Sequence, residues 1–438
     1  MMKAYRRVLG STLCLGLWLG TLANADEKPL PNVDSQLVLQ EFDVAKAGDL
    51  LLLPVTVKGQ QHFFLLDTGS GLTLYDKSLR QHLGKSKKKI AAQAPTGEIE
   101  IELFEPPEAA LGGFPLRGAI DEIAINWSWL QVARTTAAPV GLCDLAMIRK
   151  ASGYDIKGIV GMDFLRSCII RIDFDHGKIA FLRSVGKHLG TALPFNTTDD
   201  YRPLIRPEIP GYGQEPFIVD TGCSCTGGIC KKTYDELLRR QLIKPSGHSR
   251  CTTLLGGDAD ENVAEFRSGI LAALRLANWS HCDLRFDELA SSTLGLGYLS
   301  RYIVTIDFPR QVMYLKEGLA LTRPDKDDLS GLALVRIKGE TVVWGVRENS
   351  AAAIGGIKVK DVLIKMDDEK AEALSLFALR NALCCEGRTI RFTIRRGTEE
   401  RLVSLRLADK PEREIDAIEN SPRQMPTLKP IRKIRLFR

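Results

Sequence analysis

Histidine is scarce, 6 in 438 residues, and no His-Glu-x-x-His run occurs, so a metal-dependent hydrolase centre has nothing to build on. No Gly-x-Ser-x-Gly segment or comparable serine motif with a placed histidine is present either, which sets aside a serine protease. An excess of one charge is also missing. Lys and Arg number 60 against 54 Asp and Glu, a formal +6. Three of the basic residues (Lys3, Arg6, Arg7) stand at the very start and five in the closing KPIRKIRLFR, so the sequence between them carries no basic surplus. A dedicated nucleic-acid binder, whose folded part presents a basic face, is thereby excluded. Beyond the first 25 residues no apolar run approaches the roughly 20 residues that a membrane-spanning helix needs.

What is present is the composition of a globular protein of more than one domain, 44% hydrophobic and 26% charged. Residues 1–25 read as an export signal: a basic start, an apolar stretch over residues 8–23, and Ala23-Asn24-Ala25 as a cleavage site. This predicts an exported, periplasmic or secreted protein, with an uncleaved membrane anchor as the alternative. Ten cysteines fit an oxidising compartment. Loss of Cys14 with the signal leaves an odd number, so one stays unpaired or pairs between molecules. Neither Cys223-Ser224-Cys225 nor Cys384-Cys385 has zinc-site spacing, so no metal and no cofactor are expected.

The sequence repeats itself. HFFLLDTGSG at residues 62–71 returns as EPFIVDTGCS at 215–224, YDKSLRQHL at 75–83 as YDELLRRQL at 234–242, INWS at 125–128 as ANWS at 277–280, and GMDFLRSCIIRIDF at 161–174 as GLGYLSRYIVTIDF at 295–308. Four blocks in the same order make residues 38–315 two copies of one unit. The Tyr-Asp block trails its aspartate by 8 residues in the first copy and 14 in the second, which places about six extra, Cys-rich residues directly after the second Asp-Thr-Gly. A second insertion falls in the first copy around residues 131–154, and both read as surface excursions. Each Asp-Thr-Gly closes an apolar strand of a hairpin, the Tyr-Asp blocks have helical spacing, and each Asn-Trp-Ser reads as a turn.

A lone Asp-Thr-Gly arises by chance on the order of 0.1 times in such a length, but two at equivalent places in a duplicated unit point to paired carboxylates. Two such groups across a pseudo-twofold axis cannot both ionise easily, so they share a proton. One then acts as base toward a water and the other as acid toward a carbonyl. Gly69 and Gly222 allow the tight turns that aim Asp67 and Asp220 at each other, and Thr68 and Thr221 can tie the two loops together.

With these motifs the sequence resembles the pepsin and retropepsin superfamily of aspartic peptidases, in a single-chain form with two retropepsin-like halves. Ile159-Val160-Gly161 and Thr293-Leu294-Gly295 reinforce the likeness. The resemblance implies a mainly β, bilobal aspartic-peptidase β-barrel fold with halves at residues 38–190 and 191–322. Asp67 and Asp220 are then the catalytic dyad, and Thr68, Gly69, Ser70, Thr221 and Gly222 support it, Ser70 by bonding the outer carboxylate oxygen. Flaps closing over an extended peptide would have their tips near Gly97 and Gly257. Cys223 stands where the family carries a hydroxyl; as a weak donor it predicts a pH optimum nearer neutrality than with hydroxyls on both sides. It is also the feature that favours the alternative, a non-catalytic peptide-binding protein.

After a charged break, RPDKDD at 323–328, residues 329–407 resemble a PDZ domain, a small α+β module. This implies a peptide ligand, the free carboxyl terminus of a protein among the candidates, held by the amides of Ser330, Gly331 and Leu332. The helical wall of the groove would come from residues 373–383, and the domain would recruit protein substrates. Residues 408–438 form a polar, basic tail, read as a solvated end, with attraction to an anionic membrane surface as the alternative. The expected partners are protein or peptide substrates, and the expected state is a monomer.

Overall fold

Short apolar runs closed by turn residues make the protein mainly β in the computed structural model, which describes residues 35–44, 49–94, 97–116, 138–252 and 263–408. The signal segment, the first Asn-Trp-Ser, Gly257 and the tail beyond residue 408 lie outside the described residues. Among the described residues no helix is long and apolar enough to cross a membrane.

The first copy contains β1 (Val38–Asp43), β2 (Leu52–Val57), β3 (Gln60–Leu66), β4 (Leu74–Asp76), β5 (Ser86–Ala94), β6 (Gly97–Phe104), β7 (Val140–Cys143), α1 (Ala146–Ser152), β8 (Ile156–Val160), α2 (Met162–Leu165), β9 (Ile169–Asp173) and β10 (Lys178–Leu182). The second contains β11 (Thr191–Pro194), β12 (Pro203–Ile205), β13 (Phe217–Val219), β14 (Gly227–Cys230), α3 (Lys231–Arg239), β15 (Ile243–Thr252), β16 (Val263–Leu276), β17 (Trp279–Leu289), β18 (Thr293–Leu294), α4 (Leu296–Leu299), β19 (Tyr302–Asp307) and β20 (Val312–Glu317).

The duplication is visible in the pairing. Seven strands of the first sheet run β5-β6-β7-β4-β8-β3-β2 and seven of the second β15-β16-β17-β14-β18-β13-β12, in the same order; the short strands that extend each sheet further differ. In each, the strand that ends at the aspartate lies parallel to the one that ends at the hydrophobic-hydrophobic-Gly signature, β3 to β8 and β13 to β18. A third sheet, β1-β10-β9-β19-β20-β11, joins the halves through the antiparallel pair β9 and β19. Here Arg171 opposes Thr305, which is its own counterpart in the repeat, so the pseudo-twofold axis passes through that pair. One continuous apolar core runs through both halves, from Phe64 and Val160 to Val219, Leu294 and Ile306.

Two expectations from the repeat need correction. Strands β4 and β14 both begin seven residues after their aspartates, so no residues are inserted directly after the second Asp-Thr-Gly. Tyr75-Asp76 ends strand β4 and leads into the 3-10 helix Lys77–His82, whereas Tyr234-Asp235 lies inside α3. The matched letters hold non-equivalent places, each burying a tyrosine against its own sheet. Nor is the described part of the first copy's insertion, residues 138–154, a surface excursion. It supplies α1, whose Ile148 is buried with Leu65, Ile101 and Ile159 in a core beneath the β5–β6 hairpin.

The C-terminal domain has β21 (Leu332–Ile337), β22 (Glu340–Val346), α5 (Ala351–Ile354), β23 (Val362–Met366), α6 (Leu376–Ala382), β24 (Thr389–Arg396) and β25 (Glu399–Arg406), with sheet order β21-β22-β23-β24-β25 and its own core around Leu334, Leu379 and Phe392. The charged break before it is not a loose linker. Asp325 takes hydrogen bonds from Arg301 Nη2 at 2.6 Å, Thr226 Oγ1 at 2.8 Å and the Arg285 N–H at 2.8 Å, which ties residues 323–328 to the second half.

Candidate active site

Strands β3 and β13 deliver Asp67 and Asp220 into facing loops, and the loops are sewn together by their threonines. Thr221 Oγ1 accepts from the Thr68 N–H at 3.0 Å and donates to the Leu66 carbonyl at 2.9 Å. Reciprocally, Thr68 Oγ1 accepts from the Thr221 N–H at 3.1 Å and donates to the Val219 carbonyl at 2.6 Å. Both threonines are fully buried, so each hydroxyl satisfies a donor and an acceptor that water cannot reach.

The glycines explain the closeness of the two acids. A Cβ on Gly69 would lie 2.5 Å from Asp220 Cγ, and one on Gly222 would lie 2.4 Å from Asp67 Cγ. Each loop therefore leaves out a side chain so that the opposite carboxyl can occupy its place. Behind them, the Asp67 N–H donates to the Val160 carbonyl and the Asp220 N–H to the Leu294 carbonyl, at 3.1 and 2.9 Å. Gly161 and Gly295 then press so near that a Cβ would fall 2.3 Å from the Leu72 carbonyl oxygen and 2.4 Å from that of Cys225. The polar first position of the second signature has a use, since Thr293 Oγ1 accepts from the Gly228 N–H at 3.1 Å.

Main-chain donors hold each carboxylate. Gly69 N–H reaches Asp67 Oδ1 at 2.8 Å, and Gly222 and Cys223 N–H groups reach Asp220 Oδ1 at 2.9 and 3.2 Å. Burial followed by the charge of Asp220 pushes Asp67 well above the usual carboxylate range. Burial raises Asp220 as well, against the opposing pull of Gly222, Asp67, Cys223 and the Arg202 charge. The pair thus keeps one proton to higher pH than either acid alone would, and titrates as a unit.

The role expected of Ser70 is corrected. Its hydroxyl donates to the Leu72 carbonyl at 2.8 Å, and Ser70 supports Asp67 through its main-chain N–H instead. The hydroxyl at this position thus makes no direct bond to the dyad on the first side. A thiol at position 223 therefore removes no bond that the first side has, and no shift of the pH optimum follows from it. Cys223 Sγ meets Cys225 Sγ at 2.9 Å.

Gly97 opens the return strand of the β5–β6 hairpin, opposite Ala94, and the equivalent β15–β16 hairpin brackets the place of Gly257. Two neighbours were missed in the sequence. Arg202 lends its charge to Asp220, and Asp163, buried behind the first loop, accepts from Thr73 Oγ1 at 2.7 Å and is pushed up to about 6 by burial. The only hint was that Asp163 aligns with Gly297 in the second copy.

In the C-terminal domain the predicted carboxylate loop is filled by the protein itself. The Asp328 carboxylate accepts from the Ser330 and Gly331 N–H groups at 3.0 and 2.8 Å, and the Leu332 N–H is taken by Ser330 Oγ at 3.0 Å. Helix α1 of the first half lies against edge strand β21 and against α6. Arg380 Nη2 bridges the two bodies, donating to the Ala151 carbonyl at 2.6 Å and the Leu334 carbonyl on β21 at 2.8 Å. The amides of Ser330 and Gly331 are therefore turned to one internal carboxylate, and that of Leu332 is not.

Among the described residues no three or more His, Cys, Asp or Glu side chains gather as a metal site. Compared with models of protein families and with curated proteins, the sequence matches none.

Proposed function

We propose that the protein is an exported aspartic endopeptidase of the pepsin and retropepsin type, built from two retropepsin-like halves and followed by a PDZ-like domain. The observation that carries this reading is the reciprocal packing of Gly69 on Asp220 and Gly222 on Asp67 under a four-bond threonine lock. Such an arrangement devotes four buried hydrogen bonds and two side-chain positions to holding two acids face to face, which a purely structural turn has no need of.

In the shared-proton state the ionised carboxylate takes a proton from a water lying between the two acids, and that water attacks the peptide carbonyl carbon. The protonated partner gives its proton to the carbonyl oxygen, leaving a neutral tetrahedral gem-diol. Collapse returns a proton through the dyad to the leaving nitrogen and restores the starting state. Main-chain N–H donors from Gly69, Gly222 and Cys223 keep the carboxyls oriented through these transfers. The extended peptide would run beneath the β5–β6 and β15–β16 hairpins.

The test is incubation of the purified protein with an unstructured protein substrate across pH, with and without an active-site-directed aspartic peptidase inhibitor. Inhibitor-sensitive cleavage supports the reading, and its absence at every pH refutes it.

A further inference from the structure

The loop after the second aspartate carries two thiols for which hydrolysis has no use. Cys223 Sγ and Cys225 Sγ lie 2.9 Å apart, both partly buried. Their main chain is pinned on both sides: the Cys223 carbonyl accepts from the Leu296 N–H at 2.7 Å and the Cys225 carbonyl from the Gly297 N–H at 2.9 Å. Three other described thiols point elsewhere. Cys230 Sγ turns to Thr233 Oγ1 at 3.3 Å, and Cys384 and Cys385 face the Arg380 and Asn381 carbonyls. Bonded sulfurs sit about 2.05 Å apart, so closure asks for somewhat under an ångström of approach. The same loop gives the Cys223 N–H to Asp220 at 3.2 Å, so any shift that closes the pair acts on a bond that holds the dyad.

We propose that Cys223 and Cys225 form a reversible dithiol–disulfide site inside the second catalytic loop, and that its state sets the hold on Asp220. The oxidant is a small-molecule or protein disulfide. The Cys225 thiolate attacks one of its sulfurs and expels the first thiol, forming a mixed disulfide. The Cys223 thiolate then attacks Cys225 Sγ, the intramolecular bond forms, and the second thiol leaves. Two electrons pass to the oxidant's disulfide, and the two protons lost by the pair end on its two departing sulfurs. Hydrogen bonding with Cys225, together with burial, pushes the Cys223 thiol up, so ring closure quickens as pH rises. Bond formation stands apart from the peptidase reading, and only its effect on cleavage rests on that reading.

Native protein is equilibrated with glutathione disulfide, quenched in acid, alkylated and mapped by mass spectrometry. In the peptide carrying Cys223, Cys225 and Cys230, oxidation should leave one alkyl group, on Cys230, and reduction should restore all three. A Cys225→Ser protein should stay alkylated at Cys223 and Cys230 throughout. Cleavage of a peptide substrate should fall about tenfold on oxidation, as for a weakened donor to a reacting group, and recover with reductant, while Cys225→Ser does not respond. Full alkylation after oxidation, a glutathione adduct that never resolves into the ring, or a disulfide that leaves cleavage unchanged would each overturn the proposal. If neither form cleaves anything, the peptidase reading falls and the peptide map still decides whether the site exists.

Discussion

Replacing Thr221 by valine tests the lock between the two loops with little change of volume. The substitution deprives the Thr68 N–H of its acceptor and the Leu66 carbonyl of its donor, both in a fully buried setting. A buried polar group left without a partner costs about 1–3 kcal/mol, so the loss of stability should be about 2–6 kcal/mol. Thr68→Val orphans a different pair, the Thr221 N–H and the Val219 carbonyl, and should cost a similar amount. If the four bonds act as one unit, the double substitution costs less than the two singles together, with a coupling of about 0.5–3 kcal/mol. Urea unfolding followed by circular dichroism measures all three. Because the lock also aims the carboxyls, kcat for a peptide substrate should drop on the order of 100-fold, the expected cost of a displacement near one ångström. A Thr221→Val protein within about 0.5 kcal/mol of wild type and cleaving at the wild-type rate would refute the reasoning.

Gly222→Ala places a methyl 2.4 Å from Asp67 Cγ and should abolish cleavage while far-ultraviolet circular dichroism stays native; retained activity would show that the loops do not pack reciprocally. Asp163 is raised to about 6 in the folded state from an ordinary 3.8, so the stability it favours is complete below about pH 4 and is lost as pH rises toward 6. Asp163→Asn, which keeps an acceptor for Thr73, should flatten that part of the stability curve, and an unchanged curve would speak against a buried carboxyl there. Arg380→Ala should raise hydrogen exchange in α1 by loosening its tie to β21, and unaltered protection would mean that α1 needs no support from the C-terminal domain. Deleting residues 329–407 should for the same reason impair short and long substrates alike, since α1 shares a core with the β5–β6 hairpin; a loss confined to long substrates would restore substrate recruitment as the domain's task.

The duplication is legible in the sequence because both copies carry the residues that build the site: an acid, a hydroxyl to tie the loops and a glycine to make room. Asp67, Thr68, Gly69 and their partners at 220–222 meet as the motif implied. Short matched blocks were less trustworthy. Tyr75-Asp76 and Tyr234-Asp235 share letters because both bury a tyrosine beside a sheet, yet one pair is strand and the other helix, and local identity cannot see which. Ser70 shows a different limit. Its hydroxyl could serve either a carboxylate or a carbonyl, and the turn geometry, which sequence does not encode locally, gives it to Leu72. Asp328 takes the Ser330 and Gly331 amides in a local turn that the sequence permits, but a peptide carboxylate could equally have filled their place. The packing of α1 lay out of view for a plainer reason: laying an inserted helix on the edge strand β21 is a choice of tertiary structure, made across more than 180 residues.

The dyad itself is tested most directly by Asp67→Asn and Asp220→Asn, assayed side by side on one peptide substrate over a range of pH. An amide can neither share the proton nor draw one from water, so each variant should lose cleavage entirely while keeping the wild-type circular dichroism spectrum. Cleavage at the wild-type rate by either folded variant would contradict the account.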